Sequence, residues 1–358
     1  MREERLARIR RLRGIDYVPS YARGPQDSLG SLCRRDVLTR ELGFSRGLGL
    51  NGVRLWLHIG SYEEDPALYL DNLVYFLDRC QEEGLGAHLN LFDSVGVDPE
   101  DAAKPATTKQ ELRQRFVGNP FVDQMIQIVG DRHDLMLVPD CEAPVALLTE
   151  FWIAGPGYVH VQPDEWQRCE SYVRAVSERV RSHPALLILE VMNEPEACLF
   201  GREVDYEPVR RFYSAMHAVL ADTAPDVPTT IGSSNLEAFK QADIDTGMRM
   251  DVVSFHCFAR DSETFRAAWE EAKAYTEATG NRPVICSEWG IYPGDVDEAQ
   301  LAAYKMQLPI ALDSGIAWET IHTVAGYCNG ADAALLYANG TMRPAGVYLR
   351  QTMREFTP

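Results

Sequence analysis

The sequence predicts an α/β fold, a (β/α)8 TIM barrel with a long insertion after strand 3, from three observations. Short apolar segments alternate with longer amphipathic segments along the 358 residues, and eight of the apolar segments have the length of a strand. The segment 186–192, LLILEVM, is apolar almost throughout, which is typical of a parallel strand buried on both faces. The chain contains no internal repeat of solenoid period. We therefore expect one (β/α)8 domain over residues 1–358, because such barrels often exceed the usual domain length.

The predicted elements follow from apolar runs and from helix start and stop signals. The predicted strands are 14–18, 52–57, 86–92, 186–192, 227–231, 251–255, 283–288 and 315–321. The predicted helices between and after them are 35–48, 66–83, 163–182, 207–221, 262–279 and 297–313, with a last helix after 335–344. Residues 1–13 carry apolar residues at three-residue spacing among six arginines, which predicts a short amphipathic helix packed on the barrel exterior.

Two of the predicted strands end in a glutamate. Strand 186–192 runs into the sequence Asn-Glu-Pro at 193–195, where proline ends strand pairing and biases Glu194 toward an extended backbone. Strand 283–288 ends at Glu288. The carboxyl ends of barrel strands form the active site, and two facing carboxylates are the minimal equipment for hydrolysing a glycosidic bond. Asn-Glu-Pro alone is equally compatible with a polar strand end, and the second glutamate favours a hydrolytic site.

These two segments resemble those of glycoside hydrolase family 5 and its clan A relatives, which are cellulase-type TIM-barrel glycosidases. The resemblance covers essentially the whole barrel except the insertion. It implies a retaining β-glycosidase in which Glu194 is the general acid/base and Glu288 the nucleophile, with no cofactor and no metal. It also implies that Arg54 on strand 2 contacts the nucleophile and that Asn193 binds the 2-hydroxyl of the sugar. An exterior ion pair is the alternative for Arg54.

Further residues near strand ends complete the sugar site that the resemblance implies. His256 matches the first residue of the family pattern His-x-Tyr, whereas Phe258 replaces the tyrosine. Trp318 on strand 8 is the candidate for the family's sugar-stacking tryptophan. Flat apolar faces for a sugar ring are offered by Trp56, Trp152, Trp289 and Trp318.

Two other positions also bear on the resemblance. Near the end of strand 3, where family members carry a histidine, this chain has Asn90 and Asp93. Glu190 lies four residues before Glu194, where many family members carry an acidic residue inside the barrel. We expect a structural, hydrogen-bonded role for it.

Composition and charge exclude several classes of partner and site. The formal net charge of −18 argues against nucleic acid and anionic membranes as partners. The eight cysteines form no C-x-x-C pair, and the eight histidines form no H-x-H or H-E-x-x-H motif, so a metal-dependent hydrolase is disfavoured. The chain has no run of about 18 apolar residues and no apolar signal core at its start. We expect a cytoplasmic protein, with a removed signal peptide as the alternative; the sequence predicts no oligomeric state.

The segment 94–162 lacks the alternating pattern and is too long for an ordinary loop between a strand and a helix. We expect it to be an insertion on the catalytic face that contributes to the substrate pocket. Trp152 and Tyr158 either stack on sugar or anchor this segment.

The expected substrate is a short β-linked oligosaccharide or glycoside from which a terminal unit is released, because the insertion can close one end of a groove. Three alternatives stay open: an endo-acting β-glucanase or β-mannanase, a transglycosylase, and a non-catalytic carbohydrate-binding barrel. The last would be expected to lack one carboxylate, and both are present.

Overall fold

Eight parallel strands form a nearly closed barrel with helices between them, which confirms the predicted (β/α)8 TIM barrel. The computed structural model describes residues 1–93, 99, 109–115, 117–118, 135–137, 146–148, 152–157, 162–196, 206–245, 250–290, 297–321, 323–325, 334–337 and 339–356. No helix in these ranges combines the length and apolarity needed to cross a membrane.

The barrel strands, numbered in chain order, are β1 Arg13–Tyr17, β2 Gly52–Trp56, β3 Gly86–Asp93, β4 Leu186–Asn193, β5 Thr229–Gly232, β6 Val253–Cys257, β7 Val284–Trp289 and β8 Ala317–Thr320. They are hydrogen-bonded in the order β5-β4-β3-β2-β1-β8-β7-β6. Between β5 and β6, a parallel bridge joins Ser233 to Phe255, and the amide of His256 donates to the carbonyl of Ser233 at 3.0 Å. All eight carboxyl ends therefore meet at one rim.

The longer helices are α1 Arg2–Ile9, α2 Arg35–Gly47, α3 Pro66–Glu82, α4 Trp166–Val180, α5 Glu207–Thr223, α6 Leu236–Asp245, α7 Ser262–Ala278, α8 Asp297–Ser314 and α9 Pro344–Glu355. Shorter elements are the helices Pro25–Ser28, Ile59–Glu64 and Lys109–Arg115, the 3-10 turn Pro163–Glu165, and the strands Leu135–Leu137, Ala146–Leu148, Thr323–Ala325 and Ala334–Leu336. Aspartates cap two of the long helices: Asp65 accepts from the amide of Leu68 at 3.0 Å, and Asp261 from that of Thr264 at 2.8 Å.

Several predicted strand boundaries need correction, and three of them bear on the site or on the turns. Strand β5 begins at Thr229 and not at 227, because the amide of Val227 donates to Ala224 in a turn. Strand β8 begins after Gly315, whose φ of 72° lies outside the strand region. Strand β6 ends at Cys257, so His256 lies within the strand and not after it.

The N-terminal helix α1 covers the amino-terminal end of the barrel, which corrects the predicted exterior position. Ile9 and Leu12 pack against the buried residues near the strand starts Leu187, Ile188, Val252, Ile285 and Ala317. Gly52 leaves room for Leu12, because a Cβ at this position would lie 2.5 Å from the Leu12 side chain. The open end of a barrel is apolar surface that must be covered, and an amphipathic helix can cover it.

The barrel interior above this apolar floor is polar. Side chains alternate along each strand, so one set faces the helices and the other faces the barrel axis. The outward set joins the helices in a large apolar core. The inward set includes buried ionisable residues on five strands, namely Asp16, Arg54, His88, Glu190 and Glu319.

The segment between β3 and α4 lies largely outside the described residues, as does Tyr158. Its described parts include an antiparallel pair of three-residue strands and the stretch 152–157. That stretch returns to the end of β3, where the amide of Asp93 donates to the carbonyl of Gly155 at 2.7 Å. The position of the whole segment 94–162 on the catalytic face stays a prediction.

Candidate active site

Glu194 and Glu288 lie together at the carboxyl end of the barrel. Glu194 follows β4 and Glu288 lies near the end of β7. One carboxylate oxygen of each and one ring nitrogen of His256 all lie within 4.8 Å of one another. The side chains of Glu194 and Glu288 are 17% and 6% exposed, so both are accessible from the rim but mostly shielded from water.

The backbone of Glu194 is left-handed, with φ at 38°, and not extended as Pro195 predicts. The pairing register of β4 on β5 shifts between Glu190 and Asn193, and the amide of Glu194 then donates to Gly232 O at 2.6 Å. The chain therefore turns at Glu194 and does not adopt the extended backbone that a following proline favours. Such a conformation costs a non-glycine residue on the order of 1–3 kcal/mol, and such residues cluster at functional sites.

Arg54 connects the nucleophile candidate to the rest of the barrel interior. Its Nη1 donates to Glu288 Oε1 at 2.6 Å, and its Nη2 donates to Glu190 Oε1 at 2.6 Å. The side chain is fully buried, so the alternative of an exterior ion pair is excluded. Burial alone would lower the pKa of Arg54, but Glu190, Asp16 and Glu288 raise it well above its ordinary value. Arg54 is therefore a permanent cation beside Glu288.

Hydrogen bonds to both the oxygen and the nitrogen of its side-chain amide fix the orientation of Asn193. Its Oδ1 accepts from Arg54 Nη2 at 2.6 Å, and its Nδ2 donates to Asp93 Oδ1 at 3.0 Å. Asp93 also accepts from the indole of Trp152. Asp93, at the end of β3, thus orients Asn193 and connects it to the segment after β3.

His256 lies between the two glutamates. Its Nδ1 is 2.6 Å from Glu194 Oε1, and its Nε2 is 3.6 Å from Glu288 Oε1. Burial lowers the pKa of His256, which favours the neutral imidazole. The histidine therefore links the carboxyl groups without adding a charge.

The environments of the two glutamates differ. Burial and the charge of Glu190 raise the pKa of Glu194 to about 7, although Arg54 opposes the shift. Burial raises the pKa of Glu288 as well, although the charge of Arg54 opposes the shift. Arg54 donates a hydrogen bond to Glu288 but none to Glu194. Glu194 is thus suited to hold a proton near neutral pH, and the hydrogen bond from Arg54 favours the ionised form of Glu288.

The predicted aromatic residues fall into two groups. Trp56 is buried, with 5% of its surface exposed; the Arg54 guanidinium lies 4.6 Å from the centroid of its ring, and its ring packs edge-on against the half-buried Trp152. Trp289 and Trp318 have no exposed surface and are packed between the barrel and the helices. They contact each other at 5.5 Å between ring centroids. This placement does not support their predicted role as sugar-stacking surfaces. Phe258 is 38% exposed after β6.

The sequence analysis missed three buried ionisable residues beneath the site, namely Asp16, His88 and Glu319. His88 Nδ1 lies 2.8 Å from Glu319 Oε2, and His88 Nε2 lies 2.9 Å from Glu190 Oε2. The side chains of His88, Glu319 and Glu190 are fully buried. Glu190 therefore pairs with both Arg54 and His88, in line with the structural role expected for it. Polar residues at alternate positions of apolar strands were the pattern from which this cluster could have been predicted.

Within the described residues, Glu194, His256 and Glu288 form one group with spacing that could admit a metal ion. The Oε1 atoms of the two glutamates already contact His256 and Arg54 at 2.6 Å. Arg54 places a positive charge where an ion would otherwise be needed. We therefore assign no metal ligand in this site.

No family model matches the chain, and no curated protein sequence matches it. Solved structures do. The exo-beta-1,4-mannosidase Op5Man5 from Opitutaceae bacterium strain TAV5 is 16% identical with a TM-score of 0.61, over 96% of this chain and 59% of that one. GH5_18 from Streptomyces cattleya in complex with Manβ1-4GlcNAc is 15% identical with a TM-score of 0.63, over 97% and 82%.

An endo-1,4-beta-D-mannanase from Thermotoga petrophila RKU-1 is 13% identical with a TM-score of 0.56, over 96% of this chain and 99% of that one. A beta-glucuronidase from Bacteroides uniformis is 15% identical with a TM-score of 0.58, and this chain spans only 35% of its length. At these identities the similarity establishes the fold, which is the barrel described above.

Proposed function

We propose that the protein is a retaining β-glycoside hydrolase in which Glu288 is the nucleophile and Glu194 the general acid/base. The observation that carries the proposal is the spacing of the two side chains: one carboxylate oxygen of Glu194 lies within 4.8 Å of one carboxylate oxygen of Glu288. Retaining glycosidases hold their carboxyl groups about 5–5.5 Å apart, whereas inverting enzymes need about 6.5–9.5 Å for a water molecule. The spacing favours retention.

In the first step, Glu288 attacks the anomeric carbon while Glu194 gives its proton to the leaving oxygen. In the second step, Glu194 takes a proton from water, which displaces Glu288 from the sugar. The environment of each residue fits its role. A pKa of about 7 keeps Glu194 protonated in much of the neutral protein, and Arg54 at 2.6 Å favours the carboxylate of Glu288. Asn193, held by Arg54 and Asp93, would bind the sugar 2-hydroxyl.

For the substrate, we propose a short β-linked oligosaccharide or glycoside that loses a terminal unit. The similar structures include an exo-acting β-mannosidase and a protein bound to Manβ1-4GlcNAc, which makes β-mannosides the first class to test. Trp56 and Trp152, which pack together near Arg54, are the aromatic surfaces proposed for sugar contact.

Activity on nitrophenyl β-glycosides, β-1,4-linked disaccharides and soluble β-mannan and β-glucan tests the proposal. The product anomer is followed by NMR during the first minutes. We expect the β-anomer first, and loss of activity in Glu288→Gln and Glu194→Gln. The matched control is Glu41→Gln, because Glu41 is buried and hydrogen-bonded to Tyr17 and Ser20 but lies outside the site.

Initial release of the α-anomer would overturn retention, and full activity in either glutamate variant would remove that residue from the mechanism. A sharp fall of polymer viscosity at low sugar release would show internal cutting, and the terminal-unit proposal would then be wrong.

A further inference from the structure

Five buried side chains form a continuous line of ion pairs through the barrel. The line runs from Glu319 to His88, Glu190, Arg54 and Glu288, which we call the interior ion chain. Its successive contacts measure 2.8, 2.9, 2.6 and 2.6 Å. The first four side chains are fully buried and Glu288 is 6% exposed. Each residue comes from a different strand.

The surroundings of His88 favour a cation. Its Nδ1 is hydrogen-bonded to Glu319 Oε2 at 2.8 Å, and its Nε2 lies 2.9 Å from Glu190 Oε2 without the alignment of a hydrogen bond, so the ring lies between two carboxylates. Burial opposes its charge, but Glu319 and Glu190 raise the pKa of His88 to about 9. At neutral pH, Glu190 therefore has two positive neighbours, His88 and Arg54.

Arg54 is shared between two carboxylates. It contacts Glu190 through Nε at 3.2 Å and Nη2 at 2.6 Å, and Glu288 through Nη1 at 2.6 Å. Without the charge of His88, Arg54 alone would neutralise Glu190. Glu190 would then compete more strongly with Glu288 for the Arg54 guanidinium. The interior would also gain one unit of net negative charge, which disfavours an ionised Glu288.

We infer that His88, held by Glu319, is a positioning residue for Glu288. The positive charge of His88 neutralises Glu190, so that Nη1 of Arg54 stays hydrogen-bonded to Glu288. This inference rests on the proposed function only where it calls Glu288 the nucleophile. The electrostatic coupling between His88 and Glu288 does not depend on that function. Other titratable groups that face Glu288 are Asp16, Glu194 and His256. They remain unchanged when His88 is substituted.

The test is an NMR titration of the protein labelled with 13C at the glutamate carboxyl carbons, with Glu288 assigned from the spectrum of Glu288→Gln. In His88→Gln we expect the midpoint of Glu288 to rise by about one pH unit, because a charge is lost from a dry interior. The acidic limb of kcat/KM should move by the same amount. In His88→Lys, which keeps a positive charge, both midpoints should return toward those of the parent protein.

The matched control is Asp243→Asn, which removes one partner of another buried ion pair, to Arg282 at 2.7 Å. It should lower the melting temperature without moving the midpoint of Glu288. A measurement on the parent protein covers the case in which His88 variants do not fold. The 15N shifts of His88 should report two protonated nitrogens at pH 7, and a neutral ring at that pH would overturn the inference.

The two proposals fail in different ways, because the NMR titration needs no substrate. An active protein in which the midpoint of Glu288 is the same in His88→Gln would overturn the inference on His88 alone. A protein without glycosidase activity in which that midpoint still rises would overturn the proposed function and leave the coupling established.

Discussion

His256 and Glu194 share a contact of 2.6 Å between Nδ1 and Oε1 at the carboxyl end of the barrel. Because burial lowers the pKa of His256, the imidazole is a poor source of positive charge for Glu194. Burial raises the pKa of Glu194 to about 7, so this carboxyl group stays protonated to a higher pH than an ordinary glutamate. This relationship determines how activity and stability should depend on pH.

Activity on an unactivated β-glycoside should fall as pH rises through about 7, because Glu194 then loses the proton that it must donate. The measurement is kcat/KM from pH 4 to 9. The control is a dinitrophenyl glycoside, whose leaving group needs little acid assistance, so its alkaline limb should be weaker or absent. Constant activity on the unactivated substrate up to pH 9 would contradict the assignment of Glu194 as the acid.

Glu194→Gln should stabilise the protein in alkaline solution. The folded-state pKa of about 7 lies above the ordinary value of 4.5, so the stability from this group is complete below about pH 4.5 and is lost as pH rises through about 7. Removing the ionised carboxylate should therefore raise the free energy of unfolding at pH 8 by on the order of 2 kcal/mol. Denaturant titrations at pH 4.5 and 8 measure it.

The exposed variant Glu237→Gln serves as the control for that experiment, since its side chain is 80% exposed. It should show no difference between the two pH values. Equal stability of Glu194→Gln and the parent at pH 8 would show that Glu194 is not a costly buried anion.

Arg54→Lys should lower kcat/KM by on the order of 10²-fold or more. A lysine carries the charge but cannot contact Glu190, Asn193 and Glu288 in the fixed geometry of a guanidinium. Steady-state kinetics on a nitrophenyl glycoside measures the effect. Arg282→Lys changes a buried arginine outside the site and should lose stability while keeping kcat/KM. Equal losses of kcat/KM in the two variants would contradict a specific role for Arg54.

Gly232→Ala should lower both stability and activity, because an added Cβ would lie 2.5 Å from Glu190 Oε1. Displacing this carboxylate disturbs its pair with Arg54. The control is Gly47→Ala in α2, where a Cβ meets no atom within 4 Å. That variant should be neutral or slightly stabilising. The checks are the melting temperature and kcat/KM, and a fully active Gly232→Ala would show that Glu190 tolerates displacement.

The sequence predicted the barrel because each strand carries its own apolar signal. It also predicted the contact of Arg54 with Glu288, which followed from the resemblance. The strand boundaries were less predictable, because the turn before β5 and the backbone of Gly315 depend on local geometry. The left-handed Glu194 depends on a register shift between two strands distant in sequence, which no local pattern contains.

The burial of two tryptophans could have been anticipated from alternation. Trp289 follows the inward-facing Glu288, and Trp318 precedes the inward-facing Glu319, so each should face the helices. By the same rule, His88 should face the barrel axis. What remained beyond prediction is which inward residues meet, because this depends on how strands from the whole chain are staggered around the axis.

The position of α1 over the amino-terminal end of the barrel has a consequence for how the protein folds during its synthesis. Arg5 donates to the carbonyls of Leu186 at 2.8 Å and Asp226 at 2.9 Å, which lie 181 and 221 positions later in the chain. A ribosome releases the helix long before it makes these acceptors. During translation the apolar side of α1 therefore stays uncovered until the second half of the barrel has been made, and α1 is among the last helices to reach their final contacts.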